Sequence, residues 1–149
     1  MPYKHILVAT DGSGLSGKAI RTAARLAAAL GAKLVGIYVV AEGVPTLFSG
    51  SKLYGSGVMS RAYRQLALRA AQRALALFER EASAAGVPCR GLRRLARHPW
   101  RSILGAARSR GCDLIVMGSH GRGGMRAVLL GSQTVKVLAH SRVPVLVCR

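Results

Sequence analysis

Short apolar runs alternate with helical periods along this chain, and that alternation leaves few folds open to it. Lys4–Thr10 (KHILVAT) is an apolar run that stops at Asp11-Gly12, a strand followed by a turn. Ser16–Leu30 then turns helical, with Lys18, Arg21 and Arg25 on one face, Ile20, Ala23, Ala24, Ala27 and Leu30 over the others, and Gly31 as a stop. Lys33–Val40 (KLVGIYVV) is a second strand. A long helix is expected over Ser60–Ala85, with an apolar stripe of Ala67, Ala71, Ala74, Leu75, Phe78 and Ala82, ending at Gly86-Val87-Pro88. Cys89–Ala96 reads as a third strand, and its alternating Arg90, Arg93 and Arg94 suit a sheet edge. Pro99 opens a third helix with Ile103, Leu104, Ala106 and Ala107 available for packing. Asp113–Gly118 (DLIVMG) is the most hydrophobic strand. A glycine-rich loop, Ser119–Gly131, a short helix over Ser132–Ala139 and a closing strand, Val143–Cys148 (VPVLVC), complete the chain.

Strand and helix in strict alternation predict an α/β fold, a parallel sheet with right-handed crossovers and helices on both faces. In such sheets ligands bind beyond the carboxyl ends of the strands, where the strand order reverses. The loops after the first and fourth strands are therefore where chemistry is expected. The 149 residues suffice for one domain, and no repeat or low-complexity tract divides them. Aromatic residues make up 5%, so the core must be aliphatic.

No stretch approaches the roughly 18 apolar residues of a membrane span. The first apolar run is shorter than the ~7–15 residues of a signal-peptide core, and a cytoplasmic protein is expected. Cys89, Cys112 and Cys148 are widely spaced, form no zinc pattern with the histidines, and read as reduced, buried thiols. The net charge is +18. Between Met59 and Arg110 stand twelve arginines and two acids, Glu79 and Glu81, a surplus of ten. Such a field attracts polyanions, nucleic acid and ATP alike. Arg69, Arg73 and Arg80 lie opposite the apolar stripe, so a plain solvated surface is an equal reading.

Gly12–Lys18 (GSGLSGK) satisfies both GxGxxG and the GxxxxGK spacing of a P-loop. A P-loop needs Ser or Thr after the lysine to hold magnesium, and Ala19 stands there. A dinucleotide fold finds an acid, Glu42, near the end of strand two, but no room for a substrate domain. A simple glycine turn between strand and helix is the third reading. The second loop is more specific: Gly118, Gly121, Gly131 and Ser132 give G-x2-G-x9-G-S, running from a strand end to a helix start. Glycines there let backbone approach a phosphate, and the amides of Ser132, Gln133 and Thr134 point out of the positive helix end. Ser132 is placed to cap that helix.

On these residues the chain resembles the universal stress protein family. Two stretches carry the resemblance, HILVATDGSGLSGKA and DLIVMGSHGRGGMRAVLLGSQTVKVLAHSRVPVLV. Asp11–Ala19 matches the family's D-G-S-x-x-S-x-x-A, which makes the P-loop spacing a coincidence. The resemblance implies a five-stranded parallel sheet of order 3-2-1-4-5 and a homodimer. It places the chain in the branch that keeps the glycine motif and binds ATP or another adenine nucleotide, with Mg on the phosphates. Asp11 and the Val39 backbone would then face adenine or ribose, and Met117 and Gly118 would line the sugar. Gly121, Arg122, Gly131, Ser132 and Gln133 would hold phosphates, with Ala9, Thr10, His120, Gly123 and Thr134 completing the site. Two features depart from the family. Arg97 and Trp100 flank His98-Pro99 where small residues are usual, and the charge is unusually basic.

With Asp11, Glu42, Glu79, Glu81 and Asp113 as the full set of acids, a general base for hydrolysis is hard to nominate. His120 has no carboxylate neighbour in sequence, His5 and His140 read as structural, and Trp100 as packing. Val143, Val145 and Val147 alternate along the last strand, which is expected to pair with its copy across a two-fold axis. The glycine- and serine-rich Ala41–Met59 segment is expected as a lid. The functional expectation is an ATP-binding regulatory protein of a stress response with little or no turnover. A slow ATPase and a basic, non-specific nucleic-acid-associated protein are the alternatives.

Overall fold

A computed structural model of the chain describes residues 3–42, 61–121 and 130–149. In chain order the elements are β1 (His5–Ala9), α1 (Gly14–Leu30), β2 (Lys33–Ala41), α2 (Arg61–Ala84), β3 (Cys89–Ala96), α3 (Pro99–Ser109), β4 (Leu114–Gly118), α4 (Ser132–His140) and β5 (Val145–Cys148). The expected lid beyond Glu42, and Arg122 and Gly123 of the expected site, lie outside the described residues.

The strands make one parallel sheet of order β3-β2-β1-β4-β5, as expected. β1 pairs with β2 on one side (His5↔Lys33 to Ala9↔Ile37) and with β4 on the other (Ile6↔Leu114 to Val8↔Val116). Because side chains alternate across a strand, consecutive residues of β1 feed different cores. Ile6 and Val8 join Leu34, Leu114 and Val116 beneath α1 and α2, where Ile20, Ala23, Ala27 and Phe78 pack. Leu7 joins Ile37, Ile115 and Met117 beneath α3 and α4, where Ile103, Ala106 and Val137 pack. Both sides are mainly aliphatic, as the composition requires. Among the described residues no helix is long and apolar enough to cross a membrane.

Element ends shift where side-chain chemistry overrides hydrophobic pattern. α1 starts at Gly14 rather than Ser16, because Ser13 is the N-cap: its Oγ accepts from Ser16 N at 3.2 Å and its carbonyl from Gly17 N at 3.0 Å. β5 starts at Val145, after Pro144, which has no amide to donate to a ladder. Asp113 precedes β4 at the edge opposite the strand ends, where its carboxylate accepts from Lys4 N (2.7 Å) and His5 N (3.1 Å). The three cysteines are free thiols. Cys112 and Cys148 are buried as expected, whereas Cys89 is exposed on the edge strand. Burial, reinforced by neighbouring Asp113, pushes the Cys112 thiol up to about 11.

α2 meets the sheet through Ala71 and Ala74 against Tyr38 and Val40, and most closely through Phe78. Phe78 is fully buried, and its ring lies so close over Gly36 of β2 that a Cβ there would sit 2.7 Å from two ring carbons. A methyl at position 36 therefore overpacks this interface. Gly36→Ala is expected to lower unfolding free energy by ~1–3 kcal/mol. Phe78→Leu, which shortens the ring's reach, should make that cost clearly smaller in the double variant. Urea titration of the four proteins in the cycle measures this coupling, and strictly additive effects would contradict the contact.

Candidate functional site

The strand order reverses between β1 and β4, so their following crossovers depart to opposite faces and leave a crevice at the carboxyl ends. The loop after β1 is set by its own side chains. Thr10 N donates to Ile37 O (3.0 Å), holding the chain to the sheet for one residue past Ala9. Thr10 Oγ1 is buried, lies 3.0 Å from Ser16 Oγ and accepts from Gly12 N at 3.2 Å. Ser16 Oγ donates to Ser13 O (2.9 Å), and Asp11 Oδ1 accepts from Ser13 N (3.0 Å). These bonds preorganise the D-G-S turn before any ligand arrives.

The loop after β4 is pinned at its two described ends. Ser119 N donates to Cys148 O (2.7 Å), and Gly131 N donates to Ser119 O. Thr134 Oγ1, buried, donates to Gly118 O at 2.9 Å. Ser119 Oγ lies 2.8 Å from His120 Nδ1. The N-cap of α4 is Gly131, which has no side chain to cap with, so Ser132 is the first helical residue and not the cap expected of it. The helical ladder begins with Val135 N donating to Gly131 O (3.0 Å). The amides of Ser132, Gln133 and Thr134 therefore have no partner within the helix. α1 differs, because the Ser13 hydroxyl serves its end.

The two loops touch. A Cβ on Gly121 would fall 2.5 Å from Asp11 Oδ2. One on Gly131 would meet His120 Cα at 3.2 Å and Ser119 O at 3.3 Å, and one on Gly118 would meet Leu15 Cγ at 3.2 Å. The spaced glycines thus have a structural cause: they let the β4 loop fold on itself and against the Asp11 carboxylate. The same packing brings the negative side chain of Asp11 and the positive end of α4 to one crevice.

Of the residues expected in the site, Ala9, Thr10, Asp11, Gly118, His120, Gly121, Gly131, Ser132, Gln133 and Thr134 are at these strand ends and the loops beyond them. Val39 lies two residues beyond Ile37, the last residue of β2 paired with β1, and pairs with Arg94 of β3 on its other side. The Met117 side chain is buried in the core beneath α3 and α4, which leaves its backbone to face the crevice. The hydroxyls of Thr10 and Thr134 are spent on the protein's own loops.

Some links are not legible from motifs. Gln133 Oε1 accepts from Trp100 N (3.0 Å), so this side chain ties the start of α4 to the start of α3. The Trp100 ring packs against the second core and lies 4.6 Å from the His140 ring, with the Arg101 guanidinium 5.1 Å from its centre. Trp100 is thus a packing residue, as expected. A glutamine at the second position of a helix, bonded to the backbone of Trp100 in another element, gives no local signal in sequence. Among the described residues, no group of three His, Cys, Asp or Glu is placed to hold a metal.

The Universal stress protein family model matches residues 2–149. The chain belongs to the universal stress protein family. A universal stress protein of Thermus aquaticus, named for its place in the 3' region of a QAH/OAS sulfhydrylase, is 35% identical over 147 residues, 99% of each chain. A universal stress protein crystallised in complex with cAMP is similar at a TM-score of 0.67 and 24% identity, over 99% of this chain and 97% of that one. A universal stress protein from Archaeoglobus fulgidus in complex with dAMP is similar at 0.69 and 19% identity, over the full length of both chains. As structural likenesses, these two bear on the fold of this universal stress protein, which they share.

Proposed function

We propose that this universal stress protein binds an adenine nucleotide, ATP with Mg on its phosphates, in the crevice between the β1 and β4 loops. The observation that carries the proposal is the start of α4: three amides without helical partners, behind a glycine cap and facing the loop that holds Asp11. A polyphosphate satisfies those amides and the partial positive charge of the helix end together. Asp11 takes a ribose hydroxyl and the open edge of β2 at Val39 takes the base. Gly118, Gly121 and Gly131 bring backbone close to the sugar and phosphates, and Arg122 adds a cation. Relatives of the same fold in complex with cAMP and dAMP support an adenine ligand class.

The role is regulatory, with little or no turnover. Asp113 holds Lys4 and His5 at the far edge of the sheet, and Glu79 and Glu81 belong to α2. At the carboxyl edge of the sheet remain Asp11, with Oδ1 engaged by Ser13 N, and Glu42, an exposed residue just past β2 whose amide is tied to Ala96 O. That is poor equipment for activating water. Free thiols and an ATP ligand suit the cytoplasm.

We also propose a homodimer through β5. This strand is a sheet edge beside β4, Leu146 is 38% exposed, and Val135 and Leu138 of neighbouring α4 are 48% and 40% exposed. An apolar edge of this kind invites pairing with a copy across a two-fold axis. Light scattering at micromolar concentration should give twice the chain mass, and Leu146→Lys should halve it. A monomeric native protein would refute the interface.

The glycines are poor probes of nucleotide binding, since a methyl at 121 would displace the Asp11 carboxylate and one at 131 would crowd the loop backbone, so either disturbs the site itself. Ser132→Pro is cleaner. Gly131 has φ −68° and ψ 156°, the extended geometry that a following proline demands, and proline is favoured at the first helical position. The variant removes one donor and leaves the helix intact. In calorimetric titration with Mg·ATP at physiological salt, the native protein should bind. Ser132→Pro should bind about tenfold to a hundredfold more weakly, the worth of one charge-assisted hydrogen bond. Ser132→Ala, which keeps the amide, should lose less. Equal affinity of native protein and Ser132→Pro would move the phosphates away from α4.

A further inference from the structure

The function proposed for the crevice leaves the charge of the chain unexplained. From Met59 to Arg110 all twelve basic residues are arginine, against two acids. Arg61, Arg64, Arg69, Arg73 and Arg80 of α2 are exposed, as are Arg90, Arg93 and Arg94 of β3 and Arg97 just beyond it. None of these nine forms an ion pair among the described residues.

Their placement is ordered. α2 buries Ala71, Ala74, Phe78 and Ala82, and at about 100° per residue this turns Arg69, Arg73 and Arg80 to the far side within a narrow arc. They form a straight row of about 17 Å along the helix. β3 lies alongside: a Cβ on Gly91 would be 3.3 Å from Glu79 Oε1 and 3.5 Å from Leu75 Cδ2. Glu79 is thus drawn down against the sheet, away from the row. Arg93 shares the α2 side of β3 with Gly91, and Arg90 and Arg94 alternate to the other side. Among the described residues β3 pairs only with β2, at the outer end of the strand order.

Solubility alone is served by charges of both signs, and a single-sign field costs self-repulsion. Arginine, unlike lysine, presents a planar fork that binds phosphate oxygens in pairs and sheds its water readily. Leu66 and Leu95 are the exposed large apolar side chains of these two elements, too few to enter a bilayer. β3 carries no aromatic residue, and of the two on α2 Phe78 is buried and Tyr63 half-buried, so bases have no row of rings to stack on, which disfavours single strands. We infer that the α2–β3 face binds the phosphate backbone of double-stranded nucleic acid without reading its sequence, at a surface apart from the nucleotide crevice.

The test is fluorescence anisotropy with a labelled 24-base-pair DNA duplex of arbitrary sequence, from about 50 to 200 mM salt. The native protein should bind at physiological salt. The variant Arg69→Gln/Arg73→Gln/Arg80→Gln/Arg93→Gln should bind at least about tenfold more weakly. Its slope of log affinity against log salt should be shallower by about 3.6, near 0.9 for each of the four phosphates no longer neutralised. Arg21→Gln/Arg25→Gln/Arg108→Gln/Arg142→Gln removes the same charge elsewhere and should weaken binding less than about threefold. Circular dichroism establishes that both variants fold. Equal weakening in the two variants would overturn the inference, since net charge alone would then account for binding. So would absence of native binding at physiological salt, tighter binding to phosphatidylserine vesicles than to duplex, or displacement of the duplex by saturating Mg·ATP.

Discussion

The crevice proposed to hold the nucleotide depends on β1 pairing in parallel with both β2 and β4. That central strand is buried on both faces, and the crossovers on its two sides leave for opposite layers of helix. Where they diverge, the sheet cannot close over its own strand ends. The described ends of the loops after β1 and β4 border that gap. One is stiffened by Thr10, Asp11, Ser13 and Ser16, the other by Thr134 and the Ser119–Gly131 backbone contact. The crevice is therefore a consequence of topology, and its rigidity a consequence of short polar side chains spent on backbone.

The division of labour within the G-x2-G-x9-G-S motif follows from the same packing. A glycine pattern at a strand end suggests close approach to a ligand. Here the first demand on the glycines is close approach of the protein to itself, with Gly121 against Asp11 and Gly131 against His120 and Ser119. The consequence for a ligand is indirect. Gly131 at the cap position withholds a side chain, and the amides of α4 are left for something else. Two helices of one fold thus end differently, α1 sealed by Ser13 and α4 open.

Much of this was legible in the sequence. Apolar runs bounded by Gly and Asp gave the strands, and the stripe Ala71-Ala74-Phe78-Ala82 gave the buried face of α2, because burial on a regular element imposes a period. The arginines of Cys89–Ala96 marked the sheet edge. The strand–helix alternation pointed to the loops after the first and fourth strands, while strand order and the roles of single site residues came from family resemblance, which carries long-range information that local pattern lacks. What stayed hidden has a common physical character. The Ser13 cap, the Gln133–Trp100 link, the Thr134–Gly118 bond and the Phe78–Gly36 contact join residues through hydrogen bonds or shape, and neither leaves a periodic trace. Ser132 looked like a cap because serine prefers that position. The glycine before it holds the place, where a Cβ would crowd the backbone of Ser119 and His120.

The central claim is that the open end of α4 receives a nucleotide's phosphates. The most direct measurement is an amide-resolved NMR titration of nitrogen-15-labelled protein with Mg·ATP at physiological salt. The account predicts saturable shifts at the amides of Ser132, Gln133 and Thr134, with Gly121 and Asp11 moving in step and the α2 arginines unaffected. Saturation that leaves those three amides unmoved, or shifts centred on the arginine face, would contradict it.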